Sequence, residues 1–447
     1  MSQPITVQGG PGGPGLERAV SRWEIVGLAL NDVVGSGVYL LPAAAALILG
    51  WASVWAVVAA GAAVLLLVLC FAEAASHFDG PGSAYLYART AFGDLVGFEV
   101  GWMTWLARVA SVASLSAGFA QALTYLWPAA GTGGGRALSI VLSLAALTAI
   151  NVVGVRSGAR TAVVLAIFKI IPLLIFVGVG VFYASLVNVL AARPPGDWKQ
   201  HMGEAALLLL YAYAGFENTA APAGEFKNPR RDVPFALLAQ IVIVTLLYTA
   251  VQWVALGTLP GLAHSQTPIA DASRLFLGSW GGLLLTVGGA ISILGTNSNT
   301  VLTGPRYLFA LAEDGFGPRG LASVHPRFHT PAVAILVQSA IALPLALTGS
   351  FVGLAALSVV ARLASYLGTA AAVPVLRLKM GSDRQTLRLP GGPLIPIAAC
   401  LVCLVFLSSA TITNLLAGAL ALVAGLPIYF ARRKPAGPPR ALRGGHR

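Results

Sequence analysis

Twelve apolar runs, each long enough to cross a hydrocarbon layer of about 30 Å, follow one another through this chain of 447 residues. They fall near 23–49, 52–75, 95–127, 138–154, 161–187, 204–223, 234–257, 281–312, 331–349, 353–375, 393–411 and 414–430. In hydrocarbon every backbone N–H and C=O must be satisfied within the protein, and runs of this length do so as helices. Only 10% of the residues are charged and the mean hydropathy is +0.80, so no soluble core could conceal this apolar surface. The longest segments between runs, near 188–203 and 258–280, are too short to fold alone. The predicted fold is an all-α, multi-pass membrane protein whose function is housed in the bilayer.

The net charge of +12 invites a nucleic-acid reading until the basic residues are placed. With both termini on the cytoplasmic side, 21 of the 28 Lys and Arg residues fall in cytoplasmic segments and four in external ones, Arg136, Arg193, Lys199 and Arg274. That asymmetry is the positive-inside pattern, so the charge is topological and no nucleic-acid partner is expected. The first residues, 1–22, read as a Gly/Pro-rich flexible tail rather than a signal peptide, and 431–447 as a basic cytoplasmic tail. The tail's GGPGGPG is no phosphate loop, because no strand precedes it and no GK[ST] follows. Cys70, Cys400 and Cys403 lie in apolar runs and read as packing. His77, His264, His325, His329 and His446 lie in loops or ends, so neither a metal nor a cofactor is expected.

Two of the runs are interrupted. The first breaks at Gly35-Ser36-Gly37 within NDVVGSGVYLLP, and the sixth at Ala214-Gly215-Phe216-Glu217 within YAYAGFENTAAPAGEFKNP. The breaks are five runs apart, as expected when two five-helix units of opposite orientation each open with a discontinuous helix. An unwound segment exposes N–H and C=O groups that cost several kcal/mol each in hydrocarbon unless protein or ligand satisfies them. A zwitterion suits such a pair of ends. The half-helix starting at Ser36, Gly37 and Val38 offers N–H donors and a positive dipole end to a carboxylate. The helix ends near Val33 and Ala214 offer carbonyls to an ammonium, and glycine permits close approach to the backbone.

Four stretches in order, VVGSGVYLLP, DGPGSAYLYARTAFGDLVGF, GFENTAAPAGEFKNPRRDVPFAL and PRYLFALAEDGFGPRGLASVHPRFHTP, resemble the amino acid/polyamine/organocation permeases from about 23 to 430. The resemblance implies twelve transmembrane helices, a five-plus-five inverted repeat with discontinuous helices 1 and 6, and two C-terminal helices. The ten-helix core then spans 23–375, with halves 23–187 and 204–375, and the additional pair 393–430. It implies secondary transport of amino acids by alternating access. The carboxylate would be held by Gly35, Ser36 and Gly37, and the sixth-helix wall formed by Tyr211, Ala214, Gly215 and Phe216, with Phe216 as an aromatic gate. Arginine/agmatine exchangers carry a tryptophan at the place of Tyr211.

Charges inside spans are costly and often functional. Lys169 resembles the lysine that occupies a sodium site in proton-coupled members, so it is expected either to replace sodium and titrate or to be permanently paired. Glu217 is expected to be a proton-sensitive gate or a fixed ion-pair acceptor. Arg108 and Arg362 are candidate counter-ions for Glu217, Asp32 or Glu99. Asp32 departs from the family pattern. It either binds an ammonium or cationic side chain or pairs with Arg108 or Lys169, while Glu73 reads as an interfacial ion-pair member. Asn297 and Asn299 form a polar patch facing the site. Small Ala214 and aromatic Phe216 lean towards a neutral amino acid, and Asp32 and Glu217 keep a cationic one open.

The sequence therefore points to an inner-membrane amino acid permease with no catalytic residues. Proton symport is the first expectation and exchange the second. A channel, a membrane enzyme or a non-transporting amino acid sensor are the readings from other classes. Amino acid, proton and lipid bilayer are the partners implied.

Overall fold

The computed structural model describes residues 20–78, 84–153, 159–220, 226–381 and 386–431. Most of the two tails, together with Arg156, Arg384 and the start of the DGPGS loop, lies outside the described residues. The described chain is helical, with a single isolated bridge between Val20 and Phe226. Its α-helices are α1 (Arg22–Val33), α2 (Ser36–Leu49), α3 (Ser53–Ser76), α4 (Ala84–Phe92), α5 (Asp94–Leu123), α6 (Gly133–Val153), α7 (Ala159–Gly180) and α8 (Leu186–Ala191). They continue with α9 (Met202–Tyr213), α10 (Pro229–Thr258), α11 (Pro268–Glu313), α12 (Ala332–Thr348), α13 (Phe351–Met380), α14 (Leu394–Ser408) and α15 (Ile412–Phe430).

Among the described residues seven helical stretches are long and apolar enough to cross a membrane, and α12, α14 and the described part of α7 are shorter apolar helices. The chain is thus an integral membrane protein. α1 and α9 have 12 residues each and rise only about 18 Å, too little to span alone. α11 runs for 46 residues but is divided by Gly278, whose φ of 67° ends one helical piece and starts another. Part of the segment 258–280, expected to be an external loop, is therefore helical.

Polarity is distributed for a lipid solvent. Large apolar side chains such as Trp55, Phe182, Leu246 and Trp280 face outwards, whereas Gln240, Gln252, Ser292, Asn297 and Gln338 are buried. Between helices, small hydroxyl side chains meet: Ser111 with Ser358 at 2.7 Å, Thr104 with Ser365 at 2.9 Å and Thr148 with Ser339 at 2.8 Å. Such residues let backbones approach where apolar burial supplies no driving force between helices. α5 and α13 run through the centre, and both carry buried faces along most of their length. α15 lies at the rim and buries only Gly425 and Tyr429.

Candidate functional site

The first break is local and well defined. α1 stops at Val33 because Val34 turns extended (φ −73°, ψ 95°) and Gly35 takes φ −133°, ψ −138°, after which α2 opens at Ser36. The interruption thus falls on Val34 and Gly35, and Ser36 and Gly37 are the opening residues of the second half-helix. Their N–H groups are among the four that an α-helix leaves without an internal partner. The second break follows α9, where Ala214 is extended and Gly215 adopts φ +129°, before a single turn over Phe216–Asn218.

The two breaks press on each other. A Cβ built on Gly37 would lie 2.7 Å from Ala212 Cα, and one on Gly215 would lie 2.7 Å from the Asp32 carbonyl oxygen. These two glycines therefore serve the contact between the broken helices before any ligand approach. Gly35 faces Thr296, whose Oγ1 would be 3.1 Å from an added Cβ.

Helix α1 ends with carbonyls that have lost their i+4 donors, and neighbouring helices supply replacements. Lys169 Nζ donates to the Asn31 carbonyl at 3.0 Å and to Thr296 Oγ1 at 2.9 Å. Tyr248 donates to Val33 O at 3.2 Å, and Ser292 and Thr296 donate to Val34 O at 3.0 and 3.2 Å. Tyr39 in turn donates to the Lys169 carbonyl at 3.0 Å. Lys169 is fully buried and sits behind the break, outside the wall of the cavity described next.

Between the breaks lies a cavity of ≈ 30 Å³. That is room for about two waters and not for an amino acid, so this conformation is closed. Asp32, Val33, Gly35, Ser36 and Gly37 form one wall, and Tyr211, Ala214 and Gly215 another. Arg108, Ser111 and Leu115 of α5, Thr296 and Thr300 of α11, and Arg362 of α13 complete it. Phe216, Glu217, Lys169 and Asn297 lie outside the lining.

Glu217 is the centre of an ion cluster. Its Oε1 accepts from Arg108 Nη2 at 3.0 Å and also from Arg362 Nη1, and its Oε2 accepts from the Gly215 N–H at 2.9 Å and the Tyr366 hydroxyl at 3.1 Å. This is the ion-pair arrangement of the two alternatives. Asp32 accepts from Asn299 Nδ2, and among the described residues it has no Lys or Arg nitrogen within 4.0 Å. Asn297 is turned to Ser116 Oγ at 3.0 Å. The polar patch of α11 therefore meets the cavity through Thr296 and Thr300, a pair one turn apart, rather than through its asparagines. The i, i+4 spacing of two threonines was the available signal for them.

Phe216 stacks on Tyr366 at 5.1 Å and meets Phe71 edge-on at 5.3 Å; Phe71 meets Tyr87, which stacks on Phe78. This aromatic column runs from the second break to Phe78, just past the end of α3. Ion pairs tie Arg22 to Asp232 at 2.8 Å, Arg89 to Asp94 and Asp314 at 2.8 and 2.7 Å, and Glu73 to Arg377 at 2.5 Å. On the opposite side of the cavity Tyr211 packs edge-on against Phe351 at 6.0 Å.

Comparison with known proteins agrees with this architecture. The pattern of the family described as "Amino acid permease" matches residues 20–429. The chain is 29% identical to the serine/threonine exchanger SteT of Bacillus subtilis (strain 168), over 94% of this chain and 98% of that protein. It is 27% identical to the branched-chain amino acid permease BcaP of the same organism, over 93% of each chain, and 28% identical to its methylthioribose transporter, again over 93% of each. The family and these relatives are transporters, not enzymes.

Proposed function

The chain belongs to the amino acid permease family, and from that premise we propose that it carries amino acids across the inner membrane by alternating access, coupled to protons. The observation that carries this reading is the pair of interrupted helices, closed on each other around a cavity lined by the opening residues of α2. In the proposed cycle Ser36 and Gly37 N–H groups take the substrate carboxylate, and carbonyls at the ends of α1 and α9 take its ammonium. Because the cavity is closed, loading requires the α1–α2 and α9 units to move against the remaining helices, and the ligand stabilises whichever conformation binds it better.

Lys169 is assigned the coupling role. It bonds to the freed Asn31 carbonyl and to Thr296, a position suited to a cation that supports the break. A proton exchanged there would alter how tightly α7 holds α1. The layout proposed is 23–187 and 204–375 as inverted halves, 393–430 as an added pair, and both termini in the cytoplasm. Glu217 holds its arginines and keeps the second break in register, and Phe216 acts as the first ring of the barrier towards the cytoplasm.

Uptake of labelled amino acids by proteoliposomes tests the reading, with and without an imposed pH gradient. Accumulation above equilibrium that depends on the gradient, and that Lys169→Ala abolishes, is the expected result. Exchange is the second reading, favoured by the resemblance to a serine/threonine exchanger. It predicts uptake only into vesicles preloaded with amino acid. No uptake in either format rejects transport.

A further inference from the structure

We propose that the site selects an amino acid whose side chain is itself negatively charged, read by Arg108. The proposal rests on the transport reading above and adds the substrate class to it.

The argument begins with the two arginines in the cavity wall. Arg362 has a partner on each of its three nitrogens, with Nη1 on Glu217, Nη2 on Ser111 Oγ at 2.6 Å and Nε on Ser358 Oγ at 3.2 Å. Arg108 does not. Its Nη2 alone is used, by Glu217 and Asn218, and its buried Nε has no hydrogen-bond partner among the described residues. Yet Arg108 is only 3% exposed. A guanidinium has five N–H donors in a rigid fork, and donors left vacant in a buried wall await an acceptor.

Charge leads to the same conclusion. With Lys169 protonated, Arg108 and Arg362 in the cavity wall and Lys169 behind it make three cations against two anions, Asp32 in the wall and Glu217 bonded to both arginines. A surplus positive charge in a low-dielectric cavity is costly. A zwitterion brings no net charge, and its carboxylate is already assigned to the start of α2. A second carboxylate on the side chain removes the surplus and accepts charge-assisted bonds from the donors of Arg108 that Glu217 and Asn218 leave vacant, Nε among them. A cationic side chain would enlarge the surplus, and a side-chain amide of the same shape supplies no charge and one acceptor oxygen in place of two.

The test compares acids with their amides in proteoliposomes and by thermal shift of the purified protein. Apparent affinity is measured for L-aspartate against L-asparagine and for L-glutamate against L-glutamine. Preference for one acid over its amide by about tenfold or more is expected. In Arg108→Gln that ratio should fall towards one, and in Arg108→Lys, which keeps the charge, it should survive in part. Amides bound as well as acids by the wild-type protein overturn the proposal, and so does a ratio unchanged in Arg108→Gln. Transport of neutral or cationic amino acids without acids overturns it while leaving the permease reading intact, whereas failure to bind or move any amino acid removes both. Should Arg108→Gln not fold, the wild-type ratios decide alone.

Discussion

At the residue scale, the glycines and one threonine explain more than the charges do. A methyl group at position 37 would meet a backbone atom of α9, which no side-chain rotation can relieve. Gly37→Ala is expected to cost about 1–3 kcal/mol through overpacking, seen as a lower melting temperature with loss of uptake. Gly178→Ala is the control, because a Cβ there meets nothing within 4 Å, and the melting temperature should hold or rise as helix propensity improves. Thr296 carries two duties on one hydroxyl, accepting from Lys169 and donating to Val34 O. Thr296→Val removes one bond from each partner, leaving Lys169 on Asn31 O and Val34 O with Ser292, a loss of about 0.5–1.5 kcal/mol per bond, while Thr296→Ser retains both bonds. Uptake and melting temperature should therefore fall in the valine variant and recover in the serine variant. These dependencies were not legible in the sequence: Gly37 was readable as a place for ligand approach, but its contact with Ala212 requires α2 and α9 to be neighbours.

At the scale of elements, helix ends are secured by a few charged ties. Arg22 joins α1 to α10 through Asp232, whose side chain is 5% exposed against 32% for Arg22. In a double-mutant comparison, Arg22→Ala and Asp232→Ala should each lower the melting temperature. Together they should lower it by less than the two separate losses combined, because the second removes a group already unpaired. Fully additive losses would mean that the pair contributes nothing. Glu73 binds Arg377 through both carboxylate oxygens and also accepts from the Leu389 N–H at 3.0 Å, so one side chain ties α3, α13 and the segment leading to α14. Glu73→Ala is expected to expose that segment, measured as faster tryptic cleavage at Arg388 in membranes. Glu73 was recognisable as an ion-pair member from its place near a helix end, whereas its partner, 304 residues away, was not.

At the scale of the whole molecule, the outward-facing apolar side chains and buried polar ones describe a protein dissolved in lipid. The proposed orientation makes a direct prediction. His264 and Ser323 are both exposed and lie beyond opposite ends of the bundle; native Cys70 and Cys403 are buried, and half-buried Cys400 is replaced by alanine in the background used. A membrane-impermeant maleimide should label His264→Cys in intact cells and Ser323→Cys only after permeabilisation. The reverse pattern would invert the topology. The lengths of the apolar runs and the places where two of them break were readable because each depends on residues within one helix.

What the sequence determined by itself is therefore local: which stretches are apolar enough to be helices in a bilayer, where glycine and polar residues stop a helix, and how basic residues are distributed between loops. Tertiary structure decided the rest. Glu217 lies 109 and 145 residues from the arginines that hold it, and nothing in composition or period says that α5 and α13 meet at the second break. The same holds for Lys169, whose partners are a carbonyl freed on α1 and a hydroxyl on α11. A charge buried in a low dielectric is defined by what surrounds it, and its surroundings come from other helices.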